Sequence, residues 1–207
     1  EISAGEVKDV TASYDLVSTM RASIAVLGPL VARYGKAKVS FPGGCVIGPR
    51  PIDLHLKGLR ALGVSIKIKG GYIVAKSDKL KGCGIYLGGH FGSSVLATAN
   101  TLMASVLAEG ETIIEDAACE PEVADLANFL KKMGADIEGV GTPTIKVRGK
   151  SKLTGVNHSV IPDRIEAGTY MIAAVLTGGK LFLESAKAEH NLALIDKLGE
   201  CGGLIEE

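Results

Sequence analysis

The segment SFPGGCVIGPRPIDLH, residues 40–55, holds the residue types best suited to chemistry. Cys45 lies among glycines and prolines between a strand-like and a helix-like stretch, a setting that exposes a side chain to ligands. Arg50 follows it, and a nearby guanidinium favours the thiolate form of cysteine and can hold an anionic substrate. The residues alone leave one alternative open, in which Cys45 is a small hydrophobic residue of a tight turn.

The other cysteines and histidines do not indicate a metal site or a disulfide framework. The four cysteines lie far apart without a CxxC pair, and no histidine has metal-ligand or catalytic-triad spacing. Scattered thiols are typical of a reducing compartment, and the first residues lack the features of a signal peptide. We therefore expect a cytoplasmic protein without a metal or a cofactor.

The composition excludes some classes of protein. Basic and acidic residues balance at 23 each, so the chain lacks the basic excess of a nucleic-acid binder. No apolar run reaches the length of about 18 residues that indicates a membrane span. With 27 glycines, no tryptophan and an aromatic fraction of 4%, the chain favours an α/β fold over an aromatic-cored β-sandwich.

A repeat organises the elements that must position the candidate groups. Three helix-like stretches place apolar residues at i, i+3, i+4 and i+7, and each stops at a glycine: Gly63, Gly134 and Gly202. Ahead of each lies another apolar helix followed by a strand-like segment, AKVSF, ETIIEDA or KLFLESA. The period of about 70 residues is longer than that of a solenoid. We predict α/β units, helices inside and sheets outside, over residues 20–88 and 95–161, and a third from Ile165.

Four strings resemble the UDP-N-acetylglucosamine enolpyruvyl transferases: YDLVSTMRASIAVLGPLVARYG, PGGCVIGPRPIDLH, LAEGETIIEDAACEPEVADLANFL and IPDRIEAGTY. The similarity runs in order through essentially the whole chain, and the cysteine segment is its most specific part. It implies the inside-out α/β barrel of that family, in which pseudo-repeated units place helices inside and sheets outside.

The resemblance implies transfer of the enolpyruvyl group of phosphoenolpyruvate to the 3′-hydroxyl of UDP-N-acetylglucosamine, the first committed step of peptidoglycan synthesis. Cys45 matches the family's general acid, which can also form a covalent adduct with phosphoenolpyruvate and is alkylated by fosfomycin. Arg50 matches an arginine that grips phosphoenolpyruvate. The implied partners are these two small substrates, without a nucleic acid, a membrane or a cofactor.

The resemblance also assigns the substrate-binding residues. They are Arg21, Arg50, Pro51, Ile52, Asp53, Leu54, Gly92, Ser93, Ser94 and Val95. Glu120 and Asp163 are possible further members, and a structural role at the link between domains is the alternative for Asp163. From the residues alone, Arg21 and Glu120 could be surface charges, and Asp53 could be a first-turn acid that suits the helix dipole.

Two positions depart from the family pattern. Leu96 stands where the family commonly has glycine, which removes a flexible position beside the Gly/Ser loop HFGSSVLAT, residues 90–98. Cys119 stands where the family usually has arginine, so we expect weaker attraction for anionic substrates.

The similarity begins after the start of the family's sequence pattern and ends before its close. Residues 1–161 are expected to form part of the cysteine-loop domain without its first unit, and residues 162–207 the start of a second domain. The resemblance places the aspartate base and part of the phosphoenolpyruvate clamp outside the matched region. The chain is therefore expected to supply one wall of a cleft and to be inactive alone.

Alternatives remain open. An enzyme like 5-enolpyruvylshikimate-3-phosphate synthase has the same fold and chemistry, but the cysteine segment argues against it. A non-catalytic binding module of the same fold would lack a selectively reactive Cys45. A purely structural repeat protein would not need such a specific segment.

Overall fold

The computed structural model describes residues 2, 7, 9–43 and 51–207, so Cys45 and Arg50 lie outside the described residues. The chain divides into two compact units, Glu1–Asn157 and His158–Glu207. The assignment of residues 1–161 and 162–207 to domains of a longer protein stays a prediction.

Two four-stranded sheets with the same topology form the first unit. The first contains β1 (Thr11–Ala12), β2 (Lys36–Ser40), β3 (Ser65–Lys69) and β4 (Tyr72–Lys76) in the order β1-β2-β4-β3. The second contains β5 (Gly84–Tyr86), β6 (Glu111–Glu115), β7 (Asp136–Glu138) and β8 (Thr144–Arg148) in the order β5-β6-β8-β7. In each sheet the first two strands run parallel and the other pairs antiparallel. Equal strand order supports the predicted pseudo-symmetry.

The helices of this unit pack on one another behind the sheets. They are α1 (Tyr14–Val17), α2 (Leu27–Tyr34), α3 (Asp53–Ala61), α4 (Val95–Ser105) and α5 (Pro121–Lys132), with a 3₁₀ helix at Arg21–Val26 leading into α2. Helix α4 contacts α2, α3 and α5, and nearly all of its residues are buried. Each central strand alternates between exposed and buried residues, as in a sheet with one solvated face. The predicted arrangement, with helices inside and sheets outside, is confirmed.

Two glycines let α4 approach its neighbours closely. A side-chain carbon added at Gly28 of α2 would collide with the backbone and side chain of Asn100. One added at Gly58 of α3 would collide with Thr101. Because both neighbouring residues lie on α4, these two contacts fix α2 and α3 against the same central helix.

The predicted stop glycines end their helices as expected. Gly63 follows α3 with φ +93°, Gly134 follows α5 with φ +102°, and Gly202 follows α7 (Leu192–Glu200) with φ +89°. Glycine adopts this region without the steric cost of a side chain, and so it ends a helix readily.

One boundary of the repeat differs from the prediction. The predicted first unit, residues 20–88, includes β5, but β5 pairs with β6 in the second sheet. Each sheet thus begins with a strand that precedes its first helix. The sequence pattern missed this because parallel pairing joins segments that are distant along the chain, and only three residues of β5 form the pairing.

The second unit contains α6 (Arg164–Thr177), a 3₁₀ helix at Ala188–His190 and α7. Both predicted helices are present. The predicted strand KLFLESA is wrong, because this segment forms no strand in the structure. In the first two repeats the equivalent strand pairs with a strand beyond the stop glycine, whereas the described residues after Gly202 form no strand. Among the described residues, no helix combines the length and the hydropathy needed to cross a bilayer.

Candidate functional site

Arg21 lies beside the start of α3. Arg21 is the first residue of the 3₁₀ helix, and its Nη2 donates a hydrogen bond to Pro51 O at 3.2 Å. Pro51 precedes Ile52, the N-cap residue of α3, and Asp53 begins the helix. Ile52 is buried in the core, whereas Pro51 and Asp53 are exposed. The buried Ile52 therefore anchors the segment, while its neighbours remain open to solvent.

The Gly/Ser loop lies against the first turn of α3. Gly89 and Gly92 exchange two backbone hydrogen bonds of 3.1 Å, and Gly92 has a φ of +84°, which favours glycine. A carbon added at Gly89 would lie 3.0 Å from Leu54 Cδ1. Gly89, the residue before this loop, therefore lies close to Leu54 of the predicted binding segment Pro51–Leu54.

The loop ends at the start of α4. Ser94 is the N-cap residue, and its hydroxyl accepts a hydrogen bond from Ala97 N at 3.4 Å. Ser93 is exposed, and Ser94 and Val95 are half-buried. The first backbone N–H groups of a helix lack partners within that helix and lie at its positive end. A helix start of this kind suits an anionic ligand such as a phosphate group.

A buried amide joins the helices that carry these groups. Asn100 of α4 is fully buried, and its Nδ2 donates to Ile24 O at 3.0 Å and lies 3.1 Å from His55 Nδ1. Its Oδ1 accepts from Gly28 N at 2.6 Å. Because the partners Ile24 and Gly28 fix which end of the amide is the donor, His55 Nδ1 must accept the hydrogen bond. The imidazole is therefore neutral, with its proton on Nε2.

His55 is held in the neutral form by its surroundings. Burial, and secondarily the positive charge of Arg21, lowers the pKa of His55 from 6.5 to about 4, and Asp53 opposes the shift. A proton on Nδ1 would also face the NH₂ group of Asn100. The histidine is thus a structural hydrogen-bond acceptor at neutral pH.

Sequence reasoning missed Asn100. The helix that contains it was interpreted only as an apolar helix ahead of the strand-like segment ETIIEDA. Its polar residues are nevertheless buried rather than exposed, and Thr98 Oγ1 accepts a hydrogen bond from Ala118 N at 3.0 Å. An asparagine in a helix of small apolar residues was the available signal, since a buried amide requires partners.

The two possible site residues have local structural roles. Glu120 precedes α5, and its carbonyl accepts hydrogen bonds from Val123 N and Ala124 N. Asp163 caps α6, because its Oδ1 accepts from Ile165 N at 2.8 Å and Glu166 N at 3.1 Å. Capping is a local structural role for Asp163, while its role at the link between domains and a role for either residue in binding stay predictions.

Two of the other cysteines have a raised thiol pKa. The side chain of Cys119 is exposed, in the loop between β6 and α5. Desolvation and the negative charges of Glu120 and Asp116 raise the pKa of the Cys119 thiol. Burial also raises the pKa of Cys83, whose Sγ lies 3.2 Å from Ala61 O. Both thiols therefore favour the unreactive protonated form.

Metal binding has no structural support in the part of the chain that is described. No group of three or more His, Cys, Asp or Glu side chains there could hold an ion. The described site instead consists of Arg21, the start of α3 and the loop before α4. The roles of Cys45 and Arg50 stay predictions.

Comparisons with known proteins agree with this arrangement. The chain is 55% identical over 202 residues to UDP-N-acetylglucosamine 1-carboxyvinyltransferase 1 of Caldanaerobacter subterraneus subsp. tengcongensis, covering 98% of this chain and 48% of the relative. It is 56% identical over 196 residues to UDP-N-acetylglucosamine 1-carboxyvinyltransferase of Methylacidiphilum infernorum, covering 95% and 47%. The chain thus spans about half the length of these curated relatives.

A solved structure and a family model extend the comparison. The structure of the enolpyruvyl transferase NikO from Streptomyces tendae matches with a TM-score of 0.69 and 26% identity, over 81% of this chain and 39% of that one. The model of the family described as EPSP synthase (3-phosphoshikimate 1-carboxyvinyltransferase) matches residues 1–207. A match over the full printed sequence, with the repeated sheets and helices described above, shows that the chain belongs to this family of enolpyruvyl transferases.

Proposed function

We propose that the protein containing this chain transfers the enolpyruvyl group of phosphoenolpyruvate to the 3′-hydroxyl of UDP-N-acetylglucosamine. The observation that carries the proposal is 55% identity to a curated relative of that name, with 98% of this chain aligned. The sequence identity to NikO is lower, at 26%. The sequence segment around Cys45 also favours UDP-N-acetylglucosamine over shikimate 3-phosphate as the acceptor.

The reaction is an addition followed by an elimination. The sugar hydroxyl attacks C2 of phosphoenolpyruvate while Cys45 delivers a proton to the methylene carbon. A proton then leaves that carbon as the C2–O bond to phosphate breaks, which restores the double bond and releases phosphate. Arg50 would hold the phosphate or carboxylate of phosphoenolpyruvate through a bidentate contact. The base that accepts the hydroxyl proton is expected outside this chain.

The described site would bind the sugar nucleotide. Arg21 supplies a cation beside Pro51, and the exposed backbone and carboxylate at the start of α3 offer donors and acceptors. The loop Gly92–Val95 leads into a second helix N-terminus. Helix N-termini and a guanidinium are well matched to a diphosphate.

Leu96, which stands where the family commonly has glycine, is accommodated in the local backbone. Leu96 is the second residue of α4 and packs on the core, where an ordinary helical residue is accommodated. The left-handed position in this loop is Gly92. The proposal therefore needs no flexible residue at position 96.

Product analysis in the longer protein expected to contain this chain tests the proposal. Phosphate release and enolpyruvyl product should appear with UDP-N-acetylglucosamine as the acceptor and not with shikimate 3-phosphate. Cys45→Ala should lower kcat about 10²- to 10⁴-fold, as loss of a general acid does. Cys201→Ser, at an exposed thiol after α7, is the matched control.

Two outcomes would contradict the proposal. Turnover of shikimate 3-phosphate alone would favour the sister reaction, and full turnover by Cys45→Ala would remove the thiol from the chemistry. If the proposal holds, the protein acts in the cytoplasm in peptidoglycan synthesis, and fosfomycin alkylates Cys45.

A further inference from the structure

The outer face of the first sheet carries five lysines and no carboxylate on its strands. Strands β2, β3 and β4 alternate between an inner and an outer face, and their register places all of their lysines on the outer one. None of the four strands of this sheet contains an aspartate or a glutamate. We call this surface the lysine face, and its exposed lysines are Lys36, Lys38, Lys67, Lys69 and Lys76.

The lysine face is not neutralised by neighbouring acids. Within the part of the chain that the structure describes, its lysines take part in no ion pair. Lys38 Nζ lies 4.4 Å from the centre of the Tyr72 ring, a cation–π contact that leaves the charge in place. Asp9, which precedes β1, accepts a hydrogen bond from a backbone N–H instead. Lys36 and Lys76 stand directly opposite each other, and like charges in that position are destabilising.

The second sheet has carboxylates at equivalent positions. Because the two sheets share strand order and pairing, Lys36 corresponds to Glu111 and Lys67 corresponds to Glu138. Arg148 Nε lies 3.5 Å from Glu111 Oε2, and Arg148 Nη1 lies 2.8 Å from Glu138 Oε1. A unit of this topology therefore accommodates paired charges on its outer face, and an unpaired basic face is not a requirement of the fold.

The charges of the lysine face lie close enough to act together. Neighbouring strands are about 4.8 Å apart and successive residues on one face about 6.8 Å apart, so the Cα atoms fall within a patch of about 10 by 14 Å. This size is close to the Debye length of about 10 Å at 0.1 M ionic strength. All the cations are lysines, whose ammonium groups are point charges without the planar fork of arginine. Such a surface suits a diffuse layer of negative charge better than a single anion in a fixed geometry.

We propose that the lysine face binds the anionic headgroups of a lipid bilayer, so that the protein lies on the membrane surface. A cluster of about four to eight basic residues is enough for attraction to anionic lipids. A protein partner suits this face less well, because lysine is depleted in protein–protein interfaces. The expectation of no membrane partner came from the family resemblance and from the lack of an apolar span, and neither concerns contact through surface charge. The inference does not depend on the proposed function.

Co-sedimentation of the longer protein with lipid vesicles tests the inference. The protein should pellet with vesicles of phosphatidylcholine that contain about one third phosphatidylglycerol, and not with vesicles of phosphatidylcholine alone. The bound fraction should fall as NaCl is raised from about 0.05 M to about 0.5 M, because salt screens the attraction.

A charge-reversal variant locates the binding surface. Lys36→Glu/Lys67→Glu gives the first sheet the carboxylates that the second sheet has at these positions. It changes the charge of the face by four, and at about fivefold per charge it should lower the association constant at least about 100-fold. Lys152→Glu/Lys180→Glu is the matched control, since it changes the net charge equally at exposed lysines outside the sheet. The control should bind within about threefold of the unsubstituted protein.

A neutral variant keeps the test decisive if the reversed one does not fold. Lys67→Gln/Lys69→Gln, on the edge strand β3, introduces no carboxylate and should weaken association about 25-fold. The inference is overturned if the protein does not bind the anionic vesicles, if it binds neutral vesicles equally, or if the folded variants bind as the unsubstituted protein does. Binding of a poly-glutamate peptide or duplex DNA, without binding of vesicles, would also overturn it and would assign the face to an acidic protein or a nucleic acid.

Discussion

Acid should destabilise the first unit through His55. The histidine is 3% exposed, and its pKa falls from 6.5 to about 4 on folding. A depressed folded-state pKa means that the unfolded chain binds the proton more readily at intermediate pH. The contribution of His55 to stability is therefore fully present above pH 6.5 and is lost as the pH falls toward 4.

The size of the loss follows from the two pKa values. One pKa unit corresponds to about 1.4 kcal/mol, so the full shift is worth about 3 kcal/mol, of which about 2 kcal/mol is lost by pH 5. The charge of Arg21 contributes to this penalty, and that of Asp53 reduces it. A loss of 2 kcal/mol is a large part of the stability of an ordinary domain.

Urea unfolding of the protein at pH 7.5 and pH 5.0 measures this effect. His55→Gln retains an acceptor for Asn100 but cannot titrate, so its stability should fall about 2 kcal/mol less than that of the unsubstituted protein over this pH range. His90→Gln is the matched control at an exposed histidine. Equal losses in His55→Gln and the unsubstituted protein would refute the derived role of His55 as a buried neutral acceptor.

Three further predictions follow from the described contacts. Asn100→Leu should lower the free energy of unfolding by about 1–3 kcal/mol for each group left without a partner. The control Thr101→Val should change it by less than about 1 kcal/mol, because Thr101 Oγ1 has no hydrogen-bond partner among the described residues. Urea unfolding measures both free energies. Iodoacetamide should label Cys45 before Cys119, although Cys119 is exposed, because the raised pKa of Cys119 disfavours its thiolate; faster labelling of Cys119 in peptide maps would contradict this. The 207-residue chain alone should release no phosphate from the two substrates, since the base and part of the phosphoenolpyruvate clamp are expected outside this chain. Turnover by the chain alone that Cys45→Ala abolishes would contradict this prediction.

The repeat was predictable from the sequence because its signals are local. Apolar residues at helical spacing, followed by a glycine, predict a helix and its end from about 15 consecutive residues. Gly63 and Gly134 have the left-handed φ that such an end requires. The pairing of β5 with the second sheet was not predictable in this way. It depends on a parallel contact with β6 across the whole of α4.

The candidate site was predictable only in part. The residue pattern alone distinguished Cys45 and Arg50, and the family resemblance added Arg21 and the two helix starts. Their proximity depends on α4, whose contacts join segments far apart along the chain. A hydrogen bond between Asn100 and Ile24 spans 76 residues, so a local pattern does not reveal it.

Asn100 couples the stability of the core to the geometry of the site. The amide binds Ile24 O, one turn after Arg21, and His55 Nδ1, one turn after Ile52. Protonating His55 places two donors face to face, which strains the attachment of both segments to α4. The hydrogen bond from Arg21 to Pro51 joins the same two segments at the surface. Acid should therefore weaken the proposed sugar-nucleotide binding at pH values where the first unit is still folded, since the strain acts directly on the two segments proposed to bind it.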